Sequence, residues 1–294
     1  MKIGFIGQGW IGKNYADDFE NRGYTVIRYG LEPEYVGNKE KIKDCEITFV
    51  AVPTPTTKDG FDDSYVRDAL MVVGRGSTAV IKSTITVGTT KSLQREYTDI
   101  TVFHSPEFLS EKTAAHDAAH PNRNIVGIPG DTAGMREKAQ QVLDVLPDAP
   151  YKHIMDSNDA ELVKYAGNCF LFTKVLFMNL LYDLVEATDG SWERVRDALI
   201  HDPRIGASHT EPVHSSGHTS APNGKERGAG GHCFIKDFET FRTLFKLNVD
   251  DPEGQKILDA LVYKNIQLLA SSGKDIDLLE GVYGDLSDYD LSPS

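Results

Sequence analysis

The chain has 294 residues, 40% of them hydrophobic, and a formal net charge of −13, which disfavours binding to a phosphate backbone, so nucleic acid is not an expected partner. Its cysteines, Cys45, Cys169 and Cys233, are odd in number and widely spaced, and form neither a disulfide framework nor a paired-cysteine zinc pattern. No apolar run reaches the roughly 18–20 residues of a membrane span, and the short apolar start does not read as a signal peptide, so the expectation is a cytoplasmic protein with no membrane partner.

From residue 1 to about 150, short apolar runs alternate with amphipathic stretches. Strands are predicted at Lys2–Ile6, Thr25–Tyr29, Glu46–Val52, Thr78–Lys82, Thr101–His104 and Asn124–Ile128. Helical patterns fall near Ile11–Asn21, Asp63–Val73 and Thr132–Leu146. This alternation predicts an α/β fold with a doubly wound, mostly parallel sheet. Ligands bind such sheets beyond the carboxyl ends of the strands. Val52, Pro53 and Thr54, then Ser83 and Thr84, then Ser105-Pro106-Glu107 all follow strands and should converge on one cleft.

The pattern changes near Asp156. Ser157-Asn158-Asp159 offers helix N-caps, and from Ala160 to about Ala187 there is no proline. The middle of that stretch is apolar almost all round, so it is buried on several sides, within the chain or against a second subunit. A long loop rich in Gly, Ser, Pro and His spans about His201 to Gly231, and helices are predicted at Asp237–Leu247 and Pro252–Ala270. The expected domains are 1–155, a dinucleotide-binding domain, 156–272, an all-helical central domain, and 273–294, an acidic tail with a frayed end.

Gly7-Gln8-Gly9-Trp10-Ile11-Gly12 follows the first strand and opens a helix. That is the Rossmann-type dinucleotide fingerprint: a tight turn, a close approach to the pyrophosphate, and helix N-terminal amides facing it. An ordinary β–α turn is the plainer alternative. The acid expected at the end of the second strand, to hold ribose hydroxyls, arrives two residues late as Glu32. Arg28 would instead favour a phosphorylated ribose, and NAD is the preferred cofactor.

Glu161, Lys164 and Asn168 lie along one helical face, either as a solvated stripe or as a wall that stabilises a developing oxyanion. Cys233 follows Gly228-Ala229-Gly230-Gly231-His232 and precedes Lys236-Asp237. Gly230 and Gly231 leave room before the sulfur for a substrate, and Asp237 lies one turn away if the segment is helical. Cys233 is either a small core residue or a nucleophile whose thiolate is favoured by a helix start and a nearby cation. Five of the nine histidines, His201, His209, His214, His218 and His232, fall in one stretch; their spacings match no zinc pattern, and no metal is expected.

These pieces, in this order, resemble the UDP-glucose/GDP-mannose 6-dehydrogenase family. The likeness rests on Gly7–Gly12, Val52-Pro53-Thr54-Pro55 with Asp59-Gly60, and Lys82 to Thr89. It continues through Ser105 to Glu111, Pro121-Asn122-Arg123, Ala160 to Tyr165 with Asn168, Asp202 to Gly206, and Gly230 to Asp237. The resemblance implies oxidation of the C6 alcohol of a nucleotide sugar to a carboxylate with two NAD in succession, UDP-glucose being the first choice. It implies that Lys164 and Asn168 stabilise oxyanions at C6, and that Cys233 traps the aldehyde as a thiohemiacetal on the way to a thioester. Thr84 and Asp237 would position the hydrolytic water, and Glu111 would serve as an acid/base group. Phe108, Leu109, Ser110 and Glu111 would line the sugar site. Arg204 would reach the sugar in a neighbouring subunit of a homodimer built on the long helix. The chain departs from the family at Ala229, usually aromatic, and Ile235, usually proline, and it stops before the family's second Rossmann-like domain. A single-step dehydrogenase of another hydroxylated small molecule, or an NAD-binding relic, are the alternative readings.

Overall fold

A computed structural model describes residues 1–58, 60–110, 112–215 and 226–289. Two compact units divide the chain: Met1–Pro55 with Phe61–Lys164, and Thr56–Gly60 with Tyr165–Ser294.

The first unit is built on a seven-stranded sheet. Its strands are β1 (Lys2–Ile6), β2 (Thr25–Tyr29), β3 (Ile47–Val50), β6 (Thr78–Ile81), β7 (Thr101–His104), β8 (Arg123–Ile128) and β9 (Tyr151–Asp156), while β4 (Thr56–Thr57) and β5 (Gly60–Phe61) form a separate short ladder. The strand order is β2-β1-β3-β6-β7-β8-β9, all parallel except the β7–β8 pair. Because β1 lies between β2 and β3, the chain leaves it in opposite directions, and the glycine loop falls at that switch point. The register sets Ile6, Val50, Ile81 and His104 side by side, so the loops that begin at Gly7, Ala51, Lys82 and Ser105 emerge from one edge.

Strand alternation sorts the apolar residues into two layers. Phe5, Phe49, Val80 and Phe103 join Phe19 of α1 (Trp10–Asn21) and Val142 of α5 (Ala133–Val145) on one face. Phe5 stacks on Phe49 at 5.0 Å between ring centroids and meets Phe19 edge-on at 5.3 Å. Val50, Ile81 and Val102 turn the other way, towards Leu70 of α2 (Ser64–Leu70) and Leu93 of α3 (Thr89–Glu96). The expected sheet and its six strands are present. β9 was not expected, because Tyr-Lys-His-Ile-Met-Asp has no apolar run and lies half-exposed at the sheet edge. The short helices α3 and α4 (Ala114–Ala119) lacked the length for a periodic signal.

The second unit is helical. It takes in most of α6 (Ser157–Ala187), then α7 (Trp192–Ile200), α8 (Gly231–Asn248), α9 (Pro252–Ser272) and α10 (Ile276–Tyr283). Phe172 stacks on Phe238 at 4.0 Å, and Leu176, Ile266, Leu269 and Leu279 complete a buried cluster. Burying one such aromatic contributes about 2–3 kcal/mol. α9 opens on a sequence-legible cap, with Asp251 Oδ1 accepting from Gly254 N at 2.9 Å and Pro252 in the first turn.

Three features depart from expectation. α8 begins at Gly231, six residues before the predicted Asp237, so Cys233 lies in its first turn. The acidic segment after residue 273 forms α10 and a 3-10 turn, Leu286–Asp288, with Leu279 and Leu286 buried. By length and composition alone, α6 is apolar enough to cross a membrane, against the reading that no such run exists; core helices share this property, and Phe172, Val175 and Leu176 are buried in the second unit.

Candidate active site

The glycine loop follows from backbone sterics. Gly7 holds φ 89°, and its N–H donates to Tyr29 O at 2.9 Å. A Cβ on Gly12 would stand 1.9 Å from Gly7 O, so only glycine lets α1 start this close to β1. Before Gly9 there is nothing within 4 Å, and no side chain caps α1. The first amides of that helix therefore face open space, which suits a pyrophosphate. Gln8 turns inward, with Nε2 donating to Phe5 O and Gly7 O at 3.3 and 3.2 Å; Trp10 is exposed, and Ile11 packs on the core.

The displaced acid returns to the loop. A Cβ on Gly30 would meet Glu32 Oε2 at 2.2 Å and Gln8 Cγ at 3.2 Å, so the Glu32 carboxylate folds back across the end of β2 beside Gln8. Gly30 is the residue that makes room for it. Arg28 is already committed: Nε donates to Glu20 Oε1 at 2.9 Å, and Nη2 donates to Glu20 Oε2 and Asp17 Oδ1 at 2.7 Å each. These residues fit a dinucleotide whose ribose carries free hydroxyls.

The other strand-end loops are tied to one another. Ser83 Oγ donates to Val52 O at 2.7 Å; Thr54 is buried, Thr84 half-buried and Pro53 exposed. Lys164 Nζ donates to Glu107 Oε1 at 2.6 Å and to Glu107 O at 2.9 Å, while Glu107 Oε2 accepts from Leu109 N at 2.7 Å. Both side chains are buried. Sequence reasoning gave Glu107 no role of its own, because the lysine that defines it lies 57 residues away.

Beside this pair, Lys82 is buried, with Nζ donating to Ser105 Oγ at 3.1 Å and lying 4.5 Å from the Tyr15 ring centroid. Burial pushes its pKa down to about 7; Glu107 opposes the shift and Lys164 adds to it. His104 is fully buried, and neither ring nitrogen has a hydrogen-bond partner among the described residues. Burial, then Lys82, push its pKa down to about 3. A cavity of about 340 Å³ opens alongside, lined by Tyr15, Phe108, Leu109, Asp117, His120 and Arg123. The Arg123 guanidinium lies 3.7 Å from the Phe108 ring centroid, and Ser110 N donates to Asp117 Oδ2 at 3.0 Å.

Glu161 is not part of a solvated stripe. Its carboxylate is fully buried and accepts from Gly88 N at 2.6 Å, Thr90 N at 2.8 Å and Thr90 Oγ1 at 2.6 Å, where it caps α3.

In the second unit, Cys233 is the third residue of α8 and is exposed, whereas Cys45 and Cys169 are buried. Burial pushes the Cys45 thiol up to about 11 and the Cys169 thiol higher still. One turn beyond Cys233, Asp237 is buried; its Oδ2 accepts from Asn168 Nδ2 at 2.6 Å and its Oδ1 is ion-paired with Lys236. Lys164 and Asn168 lie one turn apart on α6, Lys164 in the first unit and Asn168 in the second. The Cβ space of Gly230 is taken by Asp275 Oδ2 and Lys274 Cε, so that glycine admits protein rather than substrate. Arg204 is exposed and bonded to Asp202, with Nη2 to Oδ2 at 2.6 Å. Its loop is held by Lys174 Nζ, which donates to Ile205 O at 2.8 Å and Ser208 O at 2.5 Å. Glu111, with Asp59 and His218, lies outside the described residues. Among the described residues no group of three or more His, Cys, Asp or Glu side chains could hold a metal ion.

A glycine loop of this form at the switch point of a doubly wound sheet suits a dinucleotide cofactor. Residues 34–144 match the NAD binding domain of the UDP-glucose/GDP-mannose dehydrogenase family, and residues 158–265 match its central domain. The chain belongs to this family of NAD-dependent oxidoreductases acting on a CH–OH group, and NAD is its cofactor. The UDP-glucose 6-dehydrogenase of Streptococcus pneumoniae is 30% identical over 305 residues, which cover 90% of this chain and 73% of that protein. A UDP-glucose dehydrogenase from the hyperthermophilic archaeon Pyrobaculum islandicum has a TM-score of 0.72 at 27% identity, over 90% of this chain and 67% of that one. The UDP-D-ManNAc dehydrogenase of Pyrococcus horikoshii has a TM-score of 0.73 at 21% identity, over 93% and 70%, a likeness of fold alone.

Proposed function

We propose that the protein oxidises the C6 primary alcohol of a nucleotide sugar to a carboxylate, with UDP-glucose the first substrate to test. The observation that carries this reading is Asn168 bonded to the buried Asp237, one turn from the exposed Cys233 in the first turn of α8. Identity to a protein named UDP-glucose 6-dehydrogenase supports the choice of sugar.

NAD, held by Gly7 to Gly12, Glu32, Val52 to Thr54, Ser83 and Thr84, supplies a hydride acceptor at each oxidation level. Lys164, ion-paired with Glu107, stabilises the alkoxide that forms at O6 as the hydroxyl proton passes to water. Asn168 donates to the same oxygen. The Cys233 thiolate adds to the aldehyde carbon, and O6 takes a proton from water to become the hydroxyl of a tetrahedral thiohemiacetal, a far better hydride donor than the free aldehyde. After the second oxidation, water attacks the thioester carbon, the C–S bond breaks, and Cys233 leaves as thiolate. Asp237 and Thr84 orient that water, with Glu111 as acid or base. Phe108, Leu109 and Ser110 line the sugar site, next to the cavity at Arg123. Gly231 lies against substrate at the helix start.

We place the enzyme in the cytoplasm as a homodimer. Phe170, Phe177, Leu180 and Leu184 are exposed at helical spacing along α6, an apolar stripe of the kind a second copy covers. Arg204 then serves the partner's sugar. The test is turnover: purified protein with NAD and a panel of UDP- and GDP-sugars, followed by NADH absorbance. UDP-glucose should be oxidised to UDP-glucuronate; no turnover with any nucleotide sugar contradicts the reading.

A further inference from the structure

The helix that carries Cys233 is held at its start by a residue 44 positions away. α9 ends in a glycine turn: Gly273 has φ 71°, and the N–H groups of Gly273 and Lys274 return to Ala270 O and Leu269 O at 3.1 and 2.9 Å. The turn sends Lys274 and Asp275 inward, and both are 0% exposed. Asp275 adopts φ 54°, a left-handed conformation that few non-glycine residues accept. Its Oδ2 accepts from Gly231 N, the first amide of α8, at 2.7 Å.

The surroundings are built for this contact. A Cβ at Gly230 would lie 2.1 Å from Asp275 Oδ2 and 2.8 Å from Lys274 Cε, so glycine is needed there. Lys274 Nζ donates to His214 O at 3.0 Å and Gly228 O at 3.1 Å and lies 3.3 Å from His214 Nε2. Burial pushes the Lys274 pKa down to about 8, while Asp275 and Glu226 pull it back up. Among the described residues, the charged and titratable groups around this helix start are Lys274, His214 and Glu226 from the flanking loops, and His232, Lys236 and Asp237 from α8 itself.

We propose that Asp275 is a positioning residue for Cys233: its carboxylate fixes the first turn of α8 and sets a negative charge two residues from the sulfur, opposing thiolate formation. This rests on Cys233 being the nucleophile. A helix start favours a thiolate through its unpaired amides. Here one of those amides is taken by the Asp275 carboxylate, which restrains the thiol.

The experiment is alkylation of the full chain by iodoacetamide between pH 5.5 and 9.5, with Cys233 read by peptide mass spectrometry. Cys45 and Cys169 are buried and do not compete. Asp275→Asn keeps an oxygen acceptor, loses the charge, and suits a left-handed backbone. Its Cys233 should react about three- to tenfold faster at pH 7, with the rate profile moved to lower pH. Asp275→Ala removes the anchor as well, and amide exchange in residues 231–235 should accelerate at least about tenfold. If Asp275→Ala does not fold, Asp275→Asn alone decides. An Asp275→Asn profile that superimposes on the wild type, or moves to higher pH, overturns the proposal. Failure to oxidise nucleotide sugars would remove the catalytic role of Cys233 while leaving the alkylation profile intact, so the two failures are distinguishable.

Discussion

Lys164 Nζ lies 2.6 Å from Glu107 Oε1, and both side chains are almost fully removed from solvent. A buried pair of this kind costs much of its Coulomb energy in desolvation, yet it is severely destabilising to break, because the partner is left as an uncompensated charge. Glu107→Ala should lower the unfolding free energy by about 3–5 kcal/mol. Glu107→Ala combined with Lys164→Met should recover part of that loss, measured by urea denaturation. Strict additivity of the two variants would show that the pair is not coupled.

His104 and Lys82 give the fold a pH dependence of known sign. Burial lowers the pKa of both, from 6.5 to about 3 for His104 and from 10.5 to about 7 for Lys82. The unfolded chain therefore binds the extra proton between pH 3 and 6.5 for His104 and between pH 7 and 10.5 for Lys82. Stability rises with pH through each window. His104→Leu should flatten the lower rise and Lys82→Met the upper one in urea midpoints followed against pH. Slopes unchanged from wild type would mean that neither group is neutral in the folded chain.

These two residues also show what the sequence could and could not say. The strands were legible because their apolar runs are short and punctuated, and the glycine loop because its spacing is set by backbone sterics. Cys233, Asn168 and Asp237 could be named from local pattern and resemblance. Their contacts could not, since Asn168 and Asp237 are 69 residues apart and meet only when α6 packs on α8. The start of α8 was misplaced because Gly230-Gly231 reads as loop, and the carboxylate that requires Gly230 comes from Asp275. Glu107 was passed over for the same reason: one acid after a strand carries no signal until its lysine is found.

In the proposed function Glu32 sets the cofactor choice; its carboxylate sits against Gly30 and Gln8. NAD should bind more tightly than NADP in fluorescence titration. Glu32→Ala should weaken NAD by about ten- to a hundredfold, the worth of charge-assisted bonds to two hydroxyls, and narrow the preference. Tighter binding of NADP by the wild type would take Glu32 out of the site.

The apolar stripe on α6 predicts its own occupant. Phe177 is 56% exposed and Leu184 60%. Phe177→Glu with Leu184→Glu should convert a dimer to a monomer in size-exclusion chromatography with light scattering, since charges cannot be buried in a self-complementary face. A wild-type chain that is monomeric at micromolar concentration would contradict the homodimer.

The central claim is that the Cys233 sulfur carries the substrate between two oxidations. It is tested most directly by counting NADH formed per UDP-glucose consumed, in the wild type and in Cys233→Ser. Two NADH per sugar for the wild type, and no more than one for Cys233→Ser, is the predicted result. Two per sugar from Cys233→Ser would contradict it.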